Sequence, residues 1–331
     1  MSDKFTVSGE SINEDVDRIF KFYRVNGFPH YKREDYIVQK ELQKIIDFDE
    51  NKIFNNNELG QTMHGLGFLW TFFPHWTDVK YKGQDKSLMD LWNDDNKLKE
   101  LVVKTYKWQL KHGNGKFTVN RIRQNAKVYC AKQSVSNFRP TAAKFIYNKF
   151  GNKGTVWDMS CGWGGRLLGF MASNCTKYIG TEPSTLTYKG LVELKDVYSI
   201  NKEIELFCCG SEQLLLEPDS VDLCFTSPPY YDNERYCEEK TQSFKSYPTK
   251  ESWVNDYLKK TINNCKRCLK KNSYMIINIA NTPSCNWLES KILEISKQQG
   301  FVLSNTYKLV LSSIAGKGKK YEPVFIFKND K

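Results

Sequence analysis

Hydrophobic and polar positions change their rhythm near residue 154 of the 331-residue chain. Before that point, apolar residues recur three and four positions apart in NEDVDRIFKFYRV, in DYIVQKELQKII and from Ser87 to His112, which predicts helices. Irregular segments such as NGFPHYKR separate them. The aromatic run FLWTFFPHW reads as local core, with a base-stacking platform as its alternative. After residue 154, short apolar runs alternate with helical patterns. The runs are TVWDM, KYIGTEP, IELFCCG, VDLCFTS, SYMIINIA, TYKLVLS and PVFIF, and the predicted helices are 165–174, 185–198, 211–216, 250–271 and 286–299. Such alternation builds a parallel sheet covered by helices on both faces. The last two runs are joined by SIAGKGKKYE, with no room for a helix, so they form a hairpin that inserts the final strand antiparallel. The expected architecture is α/β, with a seven-stranded sheet in 131–331 and a mainly helical lobe in 1–130.

The ends of these strands carry the candidate chemistry, because ligands of parallel sheets sit at the carboxyl ends. The first ends in Asp158-Met-Ser-Cys-Gly162-Trp-Gly164-Gly165-Arg166, where glycines let the backbone turn sharply and approach a ligand. The second ends in Glu182, an acceptor for ribose hydroxyls, followed by Pro183. The third ends at Gly210-Ser211-Glu212, where an adenine edge could be held. Together they describe a nucleoside cofactor site. Leu167 stands where the third glycine of a dinucleotide fingerprint would fall, which argues against NAD.

The fourth strand ends in Ser227-Pro228-Pro229-Tyr230. An exocyclic base amine is a poor nucleophile because its lone pair is delocalised into the ring. The Ser227 hydroxyl and the Pro228 carbonyl would each take one N–H and draw the nitrogen toward tetrahedral geometry, aiming its lone pair at a methyl donor. The prolines stiffen that turn, and Tyr230 offers a face to an extruded base. The plain alternative is a strand terminator packed by a tyrosine.

Asp-x-x-x-Gly-x-Gly followed by Ser-Pro-Pro-Tyr resembles the S-adenosylmethionine-dependent amino-methyltransferases of DNA, which modify cytosine N4 or adenine N6. Asn137-Phe138-Arg139-Pro140-Thr141 before the helical AAKFIYNKF resembles their additional cofactor segment, and the motif order is similar to the gamma arrangement. The resemblance spans roughly 133–328 and extends to phage-encoded DNA methylases. It implies a Rossmann-like methyltransferase sheet with an antiparallel last strand and S-adenosyl-L-methionine as cofactor. The cofactor would be held by Phe138, Arg139, Pro140, Thr141, Asp158, Ser160, Cys161, Gly162, Gly164, Glu182, Pro183, Ser211 and Glu212, and the target amine by Ser227, Pro228, Pro229 and Tyr230. Ser160 departs from the aromatic residue such enzymes often carry there, and Phe138 is the candidate to replace it. Serine at the head of the box resembles N4-cytosine enzymes more than N6-adenine ones. Cytosine N4 in duplex DNA is therefore the expected target, with restriction–modification as the expected setting and adenine N6, an RNA base or a non-catalytic DNA binder as alternatives. The segment Tyr231–Thr249 is read either as a loop closing over the target base, with Tyr236 and Lys245 as contacts, or as a plain surface connection.

Charge sharpens the expectation of a nucleic-acid partner. Of the 49 lysines and arginines, twelve lie within 101–153, a stretch without one acidic residue, and the remaining 37 nearly balance the 38 acidic side chains. Lys116, Arg121, Arg123 and Lys127 in this block, with Lys317, Lys319 and Lys320 in the last hairpin, are the candidate phosphate contacts. A solvated basic surface is the alternative. The ten cysteines lie mostly in apolar runs and the four histidines are scattered, so the thiols read as reduced core residues and no metal is expected. No window of about eighteen apolar residues and no signal-peptide pattern occurs, so a soluble, cytoplasmic protein is expected.

Overall fold

A computed structural model describes residues 5–6, 11–113, 116–129, 135–198, 200–314 and 318–331. The chain divides into two compact units, one of Met1–Tyr31, Pro74–Ser136 and Arg235–Cys237, the other of Lys32–Phe73, Asn137–Glu234 and Glu238–Lys331. Lys32–Phe73 thus belongs with the sheet, and the units are not two consecutive parts of the chain.

The first unit is mainly helical. Ile12–Asn26 buries Val16, Ile19 and Tyr23 on one side, and Asp95–His112 buries Leu98, Leu101, Val102 and Tyr106. These stripes pack the two helices together. The helical pattern from Ser87 to His112 forms two helices instead of one. Ser87 and Asp90 close a capping box on Leu88–Trp92, and Asp94 accepts from the Asn96 and Lys97 amides to start the next helix. Val119–Tyr129 adds a helix inside the basic block, which the apolar pattern did not announce.

Among the described residues the sheet of the second unit has nine strands: β1 (Phe54–Asn55), β2 (Glu58–Leu59), β3 (Thr155–Asp158), β4 (Lys177–Thr181), β5 (Glu203–Phe207), β6 (Val221–Thr226), β7 (Leu269–Asn278), β8 (Phe301–Ile314) and β9 (Gly318–Asn329). Their spatial order is β1-β2-β8-β9-β7-β6-β3-β4-β5. The run from β7 through β6, β3 and β4 to β5 is parallel, and β9 lies antiparallel between β7 and β8. The seven expected strands are all present, with the antiparallel insertion, and the short β1–β2 hairpin extends the β8 edge. The longer helices of this unit are α1 (Val38–Ile46), α2 (Pro140–Phe150), α3 (Gly165–Met171), α4 (Thr185–Asp196), α5 (Lys259–Cys268) and α6 (Leu288–Gln298). Every residue of β6 is buried, as a strand covered on both faces requires. Trp157, Ile179, Cys224, Met275 and Ile277 from the strands pack into one cluster with Ile262, Cys265, Leu288 and Ile292.

Two predicted helices differ. The segment 211–216 is a turn, because the Asn264 side-chain amide donates to the carbonyls of Ser211, Glu212 and Leu214 at 3.2–3.4 Å and takes the acceptors a helix would use. The pattern at 250–271 ends at Cys268, passes through a π-helical turn at Trp253–Leu258 and gives way to β7 at Leu269. Six cysteines are buried, Cys208 is exposed, and among the described residues no three or more His, Cys, Asp or Glu side chains group as metal ligands. No helix among the described residues is long and apolar enough to cross a membrane.

Lys144 on α2 explains why Lys32–Phe73 joins the sheet. Its ammonium donates to the carbonyls of Ile45, Ile46 and Phe48 at 2.8–3.1 Å and pairs with Glu50 at 2.9 Å. The two side chains are only 8% and 14% exposed. One member of the basic block is therefore a core ion. Burial opposes ionisation of Glu50, yet hydrogen bonds from Asn148 and Lys144 hold its carboxyl below the ordinary value. Its contribution to stability is accordingly present above that ordinary value and lost as pH falls through the lowered one. Lys144→Met leaves Glu50 without its cation and should destabilise the fold by about 3–5 kcal/mol, read as a lower midpoint of denaturant unfolding; an unchanged midpoint would contradict the role assigned to the pair.

Candidate cofactor and target-amine site

β3 and β6 are neighbours at the point where strand order reverses, and their carboxyl ends carry the glycine loop and the Ser-Pro-Pro-Tyr box. That crevice is the ligand site of open parallel sheets. Asp158, with 0% exposure, anchors it. Its Oδ2 accepts from Arg166 Nε and the Tyr178 hydroxyl, both at 2.8 Å. Its Oδ1 accepts from the Ser160 amide and the Thr226 hydroxyl, both at 3.2 Å. Asp158 thus shapes the loop from below. Arg166 also donates to the Ser160 carbonyl; burial works against its charge, but Asp158 raises its pKa further above an already high value.

Gly162 and Gly164 have φ of 55° and 75°, and a Cβ on Gly164 would lie 2.8 Å from a Leu194 methyl. Gly165 is required for another reason, since a Cβ there would run into the Phe138 carbonyl. Asn137 staples the two segments: its amide nitrogen donates to the Trp163 carbonyl at 2.6 Å and its oxygen accepts from the Gly165 amide at 3.0 Å. Asn137 and Arg166 stand inside the motif segments 137–141 and 158–166, yet nothing in the sequence assigns them these tasks. Phe138 stands edge-on to Phe225 at 5.3 Å, and Arg139 donates to the Asn137 carbonyl. Pro140 opens α2, while Thr141 is fully buried against Thr62 at 3.1 Å. The Cys161 thiol is buried beside the Tyr178 hydroxyl at 3.3 Å, and burial first of all raises its pKa well above the usual value. Ser160, at the position expected to be aromatic, meets the Tyr257 hydroxyl at 3.3 Å, and Tyr257 comes from the π-helical turn.

Glu182 is buried at the end of β4 and accepts from the amides of Gly162 at 2.9 Å and Ser184 at 3.0 Å. Burial dominates over these bonds and pushes its pKa up to about 7. Ser184 caps α4 by accepting from the Thr187 amide. Beyond β5, Ser211 shares a hydrogen bond with Thr261 at 2.9 Å. Glu212 accepts from the Tyr247 hydroxyl at 3.0 Å through Oε1, whereas its buried Oε2 has no hydrogen-bond partner. The segment after the box rests on these strand ends from Glu238 onward. Glu239 accepts from the Thr185 amide at 3.0 Å, Thr241 donates to the Pro183 carbonyl at 2.8 Å, and Lys245 is paired with Glu238.

At the box, Ser227 is half-buried, Pro228 is buried, and Pro229 and Tyr230 are partly covered. Tyr231 follows with φ 56°, a left-handed conformation uncommon for a non-glycine residue and frequent at functional turns. The Tyr230 hydroxyl donates to Glu322 Oε2 at 3.3 Å. Glu322, on β9 and 92 positions away in sequence, carries no motif that could have flagged it.

The basic residues are dispersed. In the helical unit Arg121 stacks over Trp108 at 3.3 Å and Lys127 over Trp76 at 4.3 Å, while Lys116 is exposed. Arg123 is 8% exposed, lies 3.9 Å from the Tyr31 ring centroid and donates to Asn120. In the sheet unit Lys319 pairs with Glu58 at 2.8 Å and Lys320 is exposed. Lys317 lies outside the described residues.

Asn137→Ala should leave the Trp163 carbonyl and the Gly165 amide unpaired and lower stability by about 1–3 kcal/mol. Calorimetric or denaturant unfolding measures this, and a wild-type value would show that the staple is dispensable.

No curated protein matches the chain. Among solved structures it is similar to the [4+2]-cyclase SpnF, with 11% identity and a TM-score of 0.42 over 58% of this chain and 81% of that one. It is also similar to a SAM-dependent methyltransferase from Methanosarcina mazei, with 12% identity and a TM-score of 0.40 over 56% and 97%. A SAM-dependent O-methyltransferase from Thermotoga maritima gives 11% identity and a TM-score of 0.41 over 62% and 71%. The family described as DNA methylase matches residues 221–331, from the first residue of β6 through the box and Glu322. Residues 221–331, which carry the Ser-Pro-Pro-Tyr box and Glu322, are thus similar to the DNA methylase family.

Proposed function

We propose that the protein methylates the exocyclic amine of a base in DNA, with cytosine N4 as the target. The observation that carries this reading is the adjacency of the glycine loop and the Ser-Pro-Pro-Tyr turn on neighbouring strands at the switch point, with Ser227 at the head of the turn. The residues present fit the cofactor. Gly162 and Gly164 keep the loop free of side chains, Glu182 offers a carboxylate to ribose hydroxyls, and the buried, unpartnered Glu212 Oε2 is an acceptor awaiting a donor such as an adenine amine. When bound, S-adenosylmethionine supplies an electrophilic methyl on its sulfonium.

The protein's own work is positional. The Ser227 hydroxyl and the Pro228 carbonyl accept the two N–H groups of the amine and turn its lone pair out of conjugation toward the methyl. Pro228 and Pro229 fix the backbone that presents these acceptors. Tyr230 gives a face to a base extruded from the duplex, since the amine is out of reach within the stack. Phe138, edge-on to Phe225, stands in for the aromatic residue that Ser160 replaces. Lys116, Arg121, Lys127, Lys319 and Lys320 are the cations offered to phosphates, with Arg123 bracing its own unit.

Incubation with labelled S-adenosylmethionine and unmodified duplex DNA, followed by nucleoside mass spectrometry, should yield N4-methylcytosine; N6-methyladenine would change the base, and unmodified nucleosides would remove the activity. Ser227→Ala should slow transfer about 10²–10³-fold while cofactor affinity stays near wild type, and unaltered turnover would refute its task. Glu182 gives a pH signature. Its carboxyl is raised to about 7 in the folded protein, so its favourable contribution to the free protein's stability exists below the ordinary carboxylate value and fades as pH rises through 7. Ribose hydroxyls donate to the ionised form, so cofactor binding should tighten as pH rises through 7 and then level off. Titration calorimetry across this range tests it, and Glu182→Gln should abolish the dependence; a pH-independent wild-type affinity would dismiss Glu182 as the ribose acceptor.

A further inference from the structure

The amine-site reading leaves two groups beside the box without a task, the Tyr230 hydroxyl and the Glu322 carboxylate. Strand register puts them on one level. Thr226 pairs with Ile277 across β6 and β7, and Ile277 pairs with Phe325 across β7 and β9. Because β9 runs antiparallel, Glu322, three residues before Phe325, lies past the carboxyl end of β6, where the chain has reached the box.

A hydrogen bond runs there from the Tyr230 hydroxyl to Glu322 Oε2 at 3.3 Å, and Ser227, three residues earlier in the same turn, acts on the Tyr230 phenol. Asn278 on β7 and Lys320 act on the same carboxylate, and Glu234 is the other carboxylate acting on Tyr230. A Ser227 proton turned toward Tyr230 would leave the serine lone pairs open to an incoming N–H. Burial is the main reason that the Glu322 carboxyl stands above its ordinary value and Tyr230 well above its own. A group with such a raised value is a better proton acceptor than a surface carboxylate, and a phenol held so high passes a proton along without remaining ionised.

We propose that Ser227, Tyr230 and Glu322 form a relay that removes the surplus proton from the target amine, with Glu322 as the terminal acceptor. The relay rests on the reading of the box as an amine site. When nitrogen gains its bond to the methyl carbon, it must shed one proton. That proton passes to Ser227 Oγ as the serine proton passes to the Tyr230 oxygen and the tyrosine proton to Glu322. Serine and tyrosine end as they began, the nitrogen has lost one proton, and one carboxylate has become a carboxylic acid. Glu322 remains partly exposed and returns the proton to water.

The test is single-turnover methyl transfer to unmodified duplex DNA at saturating S-adenosylmethionine, which removes the Glu182 titration from the rate. Tyr230→Phe keeps the stacking ring, and Glu322→Gln keeps the shape of the carboxylate. Each should slow transfer about tenfold to a hundredfold, with the KM for DNA and the cofactor affinity near wild type. The double variant should be no slower than the slower single one, because a broken relay cannot be broken again. The wild-type rate should fall on acidification as Glu322 takes a proton. Glu322→Gln should flatten that limb and Glu322→Asp should restore it at reduced rate. A wild-type rate in either single variant, additive losses in the double variant, or an acid limb unchanged in Glu322→Gln would overturn the relay while leaving the amine-site reading standing. No methylated base from the wild-type enzyme would sink that reading, and the relay with it. Should Glu322→Gln fail to fold, Tyr230→Phe alone decides, since its loss of rate and of the acid limb must appear together.

Discussion

Asp158 carries a carboxylate at zero solvent exposure, and the carboxyl end of the parallel strands is arranged around keeping that charge paired. A buried ion without its partner costs several kcal/mol, so each donor aimed at Asp158 is held there by strong necessity. Arg166 comes from α3, Tyr178 from β4, the Ser160 amide from the glycine loop and Thr226 from β6. Four elements are thereby tied to one side chain. The Thr226 bond joins the glycine loop to the Ser-Pro-Pro-Tyr turn, because the next residue is Ser227. The two segments consequently keep a fixed separation.

Around that centre the remaining polar groups divide into those whose hydrogen bonds are complete within the protein and those that are perturbed or incomplete. Asn137, Thr141 and Ser211 are satisfied by protein partners. Glu212 keeps one buried oxygen unpartnered, and Glu182 is raised to about 7 by burial although two amides donate to it. Perturbed or unsatisfied groups concentrate where function is expected, while satisfied ones hold the frame. Tyr247, Thr241 and Glu239 extend the same region from the segment after the box, so that segment rests on Glu212, Pro183 and Thr185. The reading that it closes over the target base has no support from these contacts.

The basic block shows how charge read along a chain and charge arranged in space part company. Lys144 and Arg139 belong to it by sequence, yet Lys144 is a core ion bound to Glu50 and three carbonyls, and Arg139 braces the segment before α2. Arg121, Arg123 and Lys127 lie over aromatic rings of the helical unit. A guanidinium stacked on a ring still presents its edge to an anion, so stacking orders these cations without consuming them.

Strand alternation, the glycine turn, the acidic strand ends and the Ser-Pro-Pro-Tyr box were legible because each depends on short-range chemistry. Short apolar runs, the left-handed φ that only glycine adopts easily, and the stiffness of proline all act within a few residues. The sequence alone therefore determined the succession of seven principal strands along the chain and the antiparallel insertion of the last. What it could not convey depends on side chains brought together from far apart. Asn264 drew three carbonyls away from the predicted helix at 211–216 across some fifty positions, and Lys144 drew Lys32–Phe73 into the sheet unit. Glu322 became a neighbour of the box only because β9 inserts between β7 and β8, a placement fixed by strand pairing and burial of Phe325 and Phe327. Local pattern settles which elements form; which charges end up buried together is settled only when those elements pack, since the cost of an unpaired buried charge exists only in the folded interior.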